Sequence, residues 1–426
     1  MAESIEVNKP IQEKIFTREF LLMAFGSFLV SNNFYALITV VPLYSLRILN
    51  LTEAEAGLAA GLFVAGMLAS RFAAGKLTER LGFKIMLAAN AACLIVFTLF
   101  YTQIETAAAL YILRIANGFF YGLINNTFVT IASSIIPKTR TGEGIGYYTM
   151  IHMAAWATGP YFSIYFANRG EYNLLFLFCT ILPAIVLASY PFIRFDRIQE
   201  AIKKNEAPSL TDRPDDGTEQ TKKAEKKHFL DNVLEVSVFP VALVCIFILM
   251  FTTSVTSFIA PYAETIGLAD SASVFFIFYV IGLIGTRPFI SKLFDKKGAT
   301  FVLIPGIIIY IIAFICIATV QSHFSFMVAA FLIGTGLGTC QNTTLSLSLS
   351  IAPRKRLGFA SATYYAAYDT CAAIGPLIAG LLIPVMGYRY MFIVSAVWIA
   401  IGLPVYLIVS RKFINKQMAK THVSLD

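Results

Sequence analysis

The sequence predicts an all-α membrane protein of twelve transmembrane helices, arranged as two six-helix bundles related as parallel repeats. Three observations carry this. Of 426 residues, 57% are hydrophobic and only 14% charged, against roughly a quarter charged in a soluble domain. Three uncharged runs exceed the ~20 apolar residues that cross a bilayer as a helix. They are 27 residues between Glu19 and Arg47, 25 between Glu143 and Arg169, and 28 between Glu235 and Glu264. Finally, the second half of the chain repeats the first at a constant shift of 216 residues.

The spans follow from the uncharged stretches. Phe20 to Leu46 is the first; it is too long for the apolar core of a cleavable signal peptide and reads as permanent. Ala56 to Ser70, Ile85 to Ile104, and Thr106 to Pro137, interrupted once by Arg114, are the next three. Gly144 to Asn168 and Tyr172 to Ile193 complete the first six. Val236 to Ala263 and Ser271 to Thr286 open the second set. Gly298 to Pro353 holds 56 uncharged residues, too many for one crossing, so it is a helical hairpin turning near Gln321 to Ser325. Leu357 to Tyr388, interrupted by Asp369, and Tyr390 to Ser410 are the last two. The expected organisation is an N-terminal half at 1–193, a cytoplasmic linker at 194–235 and a C-terminal half at 236–426. The linker is rich in Lys, Glu and Asp with Pro208, Pro214 and Gly217, the composition of a flexible segment, with room for a surface-lying helix.

The net charge of +8 would suggest nucleic acid in a soluble protein, but here the cations punctuate membrane spans and no nucleic-acid partner is expected. With both termini on the cytoplasmic side, 29 of the 33 Lys and Arg residues fall on that side, leaving Arg47, Arg169 and Arg389 outside and Arg114 within the membrane. The positive-inside rule therefore places both termini in the cytoplasm of a multi-pass plasma-membrane protein. The six cysteines lie in apolar stretches without paired spacing, which suits packing and neither a disulfide framework nor a metal site.

The repeat is specific. Shifting by 216 places Arg71–Gly82 on Arg287–Gly298 with four identities, and Gly118–Gly142 on Gly334–Gly358 with nine of 25. The same ungapped shift sets Gly159-Pro160 on Gly375-Pro376. Each copy holds an even number of spans, so both insert the same way round, and a substrate path is expected between them.

Gly75-x-Leu77-x-Glu79-Arg80-x-Gly82-x-Lys84 between the second and third spans, in a chain of two six-span halves, resembles the major facilitator superfamily. The family usually has Asp at the Glu79 position and two basic residues where Phe83-Lys84 stand. Arg114-x-x-Asn117-Gly118 is similar to the family's intramembrane arginine motif, where Gln is common at the Asn117 position. Gly146, Ala155, Gly159 and Pro160 follow the spacing of the glycine-proline motif of its proton-coupled drug exporters, with Ala155 and Ser163-Ile164 replacing glycines. The resemblance implies the major facilitator fold, alternating access and gating by these elements. Gly75, Glu79, Arg80 and the repeat-related Asp295 would then latch the halves, and Gly159 and Pro160 would make the fifth span pliable. Ion pairs near water are each worth about 0–1 kcal/mol, so several would act together. Topology anchoring and simple helix packing are the plainer alternatives.

Polar residues recur near mid-membrane. At 1.5 Å per residue, Asn126 lies about 16 Å from Pro137, His152 roughly 15 Å from Gly142, and Asp369 roughly 16 Å from Gly358, about half the hydrocarbon thickness. An ionised Asp at a helix centre costs about 2.5–3.5 kcal/mol on insertion scales and so marks a cavity or partner. Asp369 is the first candidate for proton coupling, with Arg114 and His152 beside it; His152 can equally sit neutral between helices or pair with Asp369. Arg114 can hold an anionic group or reach to the outer surface. Asn32, Asn33, Asn125, Asn126, Gln341 and Asn342 offer uncharged hydrogen bonds, and Tyr35, Tyr364 and Tyr365 aromatic faces, for a small amphipathic organic solute.

The expected function is secondary active transport: proton-coupled export of such a solute by antiport. The alternative is proton-coupled uptake of a sugar, amino acid or organic acid by symport. A channel fits less well, and no nucleophile–base pair or ligand cluster suggests an enzyme. No phosphate-binding Gly-x-x-x-x-Gly-Lys-Ser/Thr occurs, so an ion gradient supplies the energy. No cofactor or metal is expected; the partners are the solute, protons and the lipid bilayer, and the chain is expected to act as a monomer.

Overall fold

The computed structural model describes residues 15–137, 140–206, 235–353, 356–410 and 413. The helices are α1 (Arg18–Arg47), α2 (Glu53–Leu99), α3 (Ala107–Ile135), α4 (Thr141–Ala167), α5 (Tyr172–Ser189) and α6 (Phe195–Glu206). After the linker come α7 (Phe239–Leu249), α8 (Thr252–Thr265), α9 (Ala272–Gly285), α10 (Arg287–Ala318), α11 (His323–Ile351) and α12 (Leu357–Val409). No strand occurs among the described residues.

Two helical stretches, Glu53–Gln103 and Phe359–Val409, are 51 residues each, about 76 Å at 1.5 Å per residue and more than twice a ~30 Å hydrocarbon core. Each is two crossings joined at a glycine. Gly82 (φ 73°, ψ 159°), Gly298 (φ 78°, ψ 171°) and Gly387 (φ 80°, ψ 165°) interrupt α2, α10 and α12. Only glycine occupies that backbone region without strain. Gly82 and Gly298 are equivalent under the 216-residue shift, so the repeat seen in sequence recurs as a shared backbone turn. Thr106 and Ser322, also 216 apart, both cap the helix that follows, accepting from Ala109 N–H and Ser325 N–H. α7 and α8 form one crossing broken near Phe251, and α9 runs into the start of α10. Counted this way the helices give the twelve spans.

Within the first half α2 packs on α3 and α1 on α4 and α5; within the second, α10 and α9 pack on α11, and α12 on α7. The halves meet through α2 with α12, α4 with α9, and α1 with α8. The first two interfaces are the same contact exchanged by the repeat.

Glycines make this junction close. A Cβ on Gly57 would lie 2.2 Å from the Pro376 carbonyl oxygen, on Gly61 2.3 Å from that of Ala373, and on Gly380 2.3 Å from that of Glu53. These contacts sit at the end of the bundle opposite the chain termini. An ion pair between Arg47 of α1 and Glu264 of α8 lies at the same end. So does a hydrogen bond from Asn168 Nδ2 to the Ala269 carbonyl oxygen at 3.0 Å. At the terminal end no extended packing joins α3 or α4 to α11 or α12 among the described residues. The bundle is therefore closed at one end and parted at the other.

Candidate functional site

Below the closed end a cavity of about 250 Å³ lies between the halves. At about 30 Å³ per liquid water it holds roughly eight waters' worth of volume, which restricts it to a small solute. Its walls follow the repeat. Arg71 and Arg287, Asn125 and Gln341, Thr149 and Tyr365, His152 and Tyr368, Met153 and Asp369, and Trp156 and Ala372 all line it, and each pair is separated by 216 residues.

Asp369 is 2% exposed, and its Oδ2 accepts a 2.6 Å charge-assisted hydrogen bond from Arg71 Nε. This ion pair joins the halves across the cavity. Close α2–α12 contacts match 53 with 380, 57 with 376 and 61 with 373. Arg71 thus reaches back toward the closed end to meet Asp369. It does so where the two helices part, and its side chain remains 45% exposed. The guanidinium also lies 5.7 Å from the Tyr365 ring centroid, within cation–π range.

His152 does not pair with Asp369. Its Nδ1 is 3.0 Å from Ser31 Oγ and 3.2 Å from Ser27 Oγ, and Tyr148 O–H donates to Ser27 Oγ at 2.8 Å, so α1 supplies the ring's partners. Aromatic groups form the wall between α4 and α9: Trp156 stacks on Tyr279 at 6.1 Å and 19°, and Tyr35 lies 5.1 Å from Trp156. The side-chain oxygens Asn125 Oδ1 and Gln341 Oε1 have no hydrogen-bond partner among the described residues. They are the repeat-related acceptors of the cavity.

Of the residues singled out from sequence, Asp369, His152, Asn125, Gln341, Tyr35 and Tyr365 line this cavity; the others lie elsewhere. Arg114 is fully buried. Its Nε donates to the Ala59 carbonyl oxygen at 2.9 Å, its Nη1 approaches Tyr101 O–H at 3.5 Å, and its guanidinium lies 4.5 Å from the Phe63 ring centroid. It neither reaches the surface nor faces the cavity, because α2 gives it a carbonyl and a ring within the first half. Asn32 accepts from Thr158 O–H at 2.7 Å and ties α1 to α4. Asn33 donates to the Cys179 carbonyl oxygen at 2.8 Å and to Thr98 Oγ1 at 3.2 Å, tying α1 to α5 and α2. Tyr364 donates to the Gln341 carbonyl oxygen at 2.9 Å. Asn126 is exposed and Asn342 half-buried, both outside the cavity, one helical step from the inward-facing Asn125 and Gln341. Asn33→Ala is accordingly expected to lower stability by about 1–3 kcal/mol, the range for orphaning buried partners. Solute affinity should stay unchanged, which thermal unfolding and binding on the same sample would check.

Gly75, Glu79 and Arg80 are exposed, and no ion pair joins Glu79 or Arg80 to the second half among the described residues. The Asp295 side chain lies outside what the structure describes. Gly159 sits where a Cβ would be 2.9 Å from Tyr35 Cβ and 3.0 Å from the Asn32 carbonyl oxygen, so it sets how closely α4 approaches α1, with Pro160 following it.

Sequence reasoning passed over Arg71 and Arg287. Both were assigned to loops because the second and eighth spans were ended at the first charge. The helices continue beyond it, and two of the 29 cations counted on the cytoplasmic side line the cavity instead. The signal was available, since these two arginines open the repeated segment and stand 216 residues apart.

The family model described as Major Facilitator Superfamily matches residues 23–365 and 242–421. A "Multi-drug resistance efflux pump PmrA homolog" of Lactococcus lactis is 24% identical over 414 residues, 94% of this chain and 96% of that protein. "Multidrug resistance protein MdtG" of Dickeya zeae is 24% identical over 332 residues, covering 75% of this chain and 76% of the relative. Among solved structures, the xylose transporter XylE from E. coli in an inward-open conformation aligns with a TM-score of 0.69 at 15% identity, over 92% of this chain and 95% of that one. The nucleoside transporter NupG aligns with a TM-score of 0.70 at 12% identity, over 92% and 99%. A duplicated twelve-span bundle with a polar cavity between its halves, matched by the family model along almost its whole length, makes this chain a member of the major facilitator superfamily of membrane transporters.

Proposed function

We propose that this transporter is a proton-coupled carrier that exports a small amphipathic organic solute by alternating access, with Asp369 carrying the proton. The observation that supports it most directly is the Arg71–Asp369 bond, which ties the halves together inside the cavity. A proton on Asp369 cancels its charge and unties that bond in one event, which is how a proton can bias a two-state equilibrium of a few kcal/mol.

The moving bodies are the halves at 1–193 and 236–426, tethered by 194–235. By the Lys/Arg census the parted end faces the cytoplasm, so the conformation is open inward. Arg47–Glu264 latches the closed end in this state. Glu79, Arg80 and Asp295 are the latch of the opposite state, formed when the terminal end closes. The names of the relatives support export. A second reading, proton-coupled uptake, is favoured by one observation: both Arg71 and Arg287 line the cavity, an arrangement suited to an organic acid.

Everted membrane vesicles acidified inside separate the directions. An exporter working by antiport accumulates fluorescent aromatic solutes in the lumen, whereas a symporter expels them. Flux that neither saturates nor responds to the gradient would exclude a carrier of either kind.

A further inference from the structure

We propose that the solute is an organic anion with a flat aromatic body, its acidic group held between Arg71 and Arg287. The proposal rests on reading the cavity as the transport site, and not on the direction of transport.

The cavity is lined by two arginines and one carboxylate. An arginine stays charged in any accessible pH range, so the lining carries a surplus cation while Asp369 is ionised, and a second when it is protonated. A cationic solute would add to that surplus in a place of low dielectric; an anion cancels it. The guanidinium is also the side chain whose fork of donors matches a carboxylate or phosphate. Aromatic faces alone could suit a cation, but the face of Tyr365 is already approached by Arg71 at 5.7 Å. The stacked Trp156 and Tyr279 rings remain for the solute's body. The unpartnered Asn125 and Gln341 oxygens accept hydrogen bonds from a hydroxyl or N–H group on it.

This geometry fixes the sign of the proton linkage. An anion that takes Arg71 releases Asp369, and a proton on Asp369 releases Arg71, so each favours the binding of the other. The other groups around Asp369 do not reverse this. Arg287 keeps its charge, and His152 is engaged by Ser27 and Ser31. The phenols of Tyr35, Tyr121, Tyr365 and Tyr368 are neutral near pH 7. Anion and proton therefore bind together, which is the linkage of a symporter.

The test compares three probes with one aromatic body on the purified full chain: 2-naphthoate, 2-naphthylmethanol and 2-naphthylmethylammonium. Naphthoate is expected to bind at least ten-fold more tightly than the ammonium compound, more tightly at pH 6 than at pH 8, and with proton uptake in weakly buffered solution. Arg287→Gln is expected to remove the preference and Arg287→Lys to retain most of it, with thermal unfolding confirming that both variants fold. A preference for the ammonium compound, no preference among the three, or proton release on naphthoate binding overturns the proposal. Trp156→Ala separates this failure from failure of the site. If it weakens whichever probe binds, the cavity stands and only the charge assignment falls; if it changes none of them, the cavity is not the binding site and both readings fall.

Discussion

Asp369→Asn is expected to abolish accumulation driven by a proton gradient while leaving exchange of solute down its own gradient intact. Asparagine keeps the size and hydrogen-bonding capacity of the side chain but neither ionises nor takes up a proton. The variant would then resemble the protonated carrier at every pH, with Arg71 released. Its fold should survive. Arg71 loses its partner but is 45% exposed and stays hydrated, and the buried carboxylate that would be costly to leave alone is itself removed. Counterflow in proteoliposomes, compared with accumulation under an imposed pH gradient, measures the two activities separately. Accumulation should fall at least ten-fold, to the level set by the solute gradient alone. A variant that still accumulates with the same pH dependence would remove Asp369 as the coupling group.

Gly61→Leu is expected to stop transport by a different route. The new Cβ would fall 2.3 Å from the Ala373 carbonyl oxygen, and backbone in a packed helix has nowhere to retreat. Overpacking of this kind costs typically 1–3 kcal/mol. Two carrier states a few kcal/mol apart need no larger penalty to exchange their populations, so the closed end should be forced open. Gly57→Leu meets the Pro376 carbonyl oxygen at 2.2 Å and should behave alike. In a cysteine-free background, a Thr256→Cys reporter in the cavity should become reactive to a membrane-impermeant reagent added at the end opposite the termini. Unchanged labelling with normal transport would show that this junction does not gate.

The fold was legible because charge is expensive in hydrocarbon and a duplicated chain repeats its turns. Uncharged runs placed the crossings, and the 216-residue shift located two glycines that adopt the same turn. The site was legible only in part. Asp369 stood out because a lone acid in an apolar run needs a reason. Arg114 stood out equally, yet its reason is structural, since a carbonyl of α2 and the Phe63 ring satisfy it. Depth arithmetic puts a side chain at the right level of the membrane without saying toward which side of the helix it points. Asn125 and Asn126 are neighbours in the chain, but only the first faces the cavity. Arg71 and Arg287 were hidden by ending a helix at its first charge, whereas a helix that borders a wet cavity can carry arginine well inside it.

The turns at Gly82, Gly298 and Gly387 have a mechanical meaning. Each joins two crossings through a single residue, so the connector has no slack: one helix cannot tilt without dragging its neighbour. A carrier built from such stiff elbows delivers the small force released at one ion pair to a whole bundle, instead of losing it in loose strands of chain. Lengthening one elbow by a few flexible residues would leave every contact in the cavity in place and still disconnect the lever from its load.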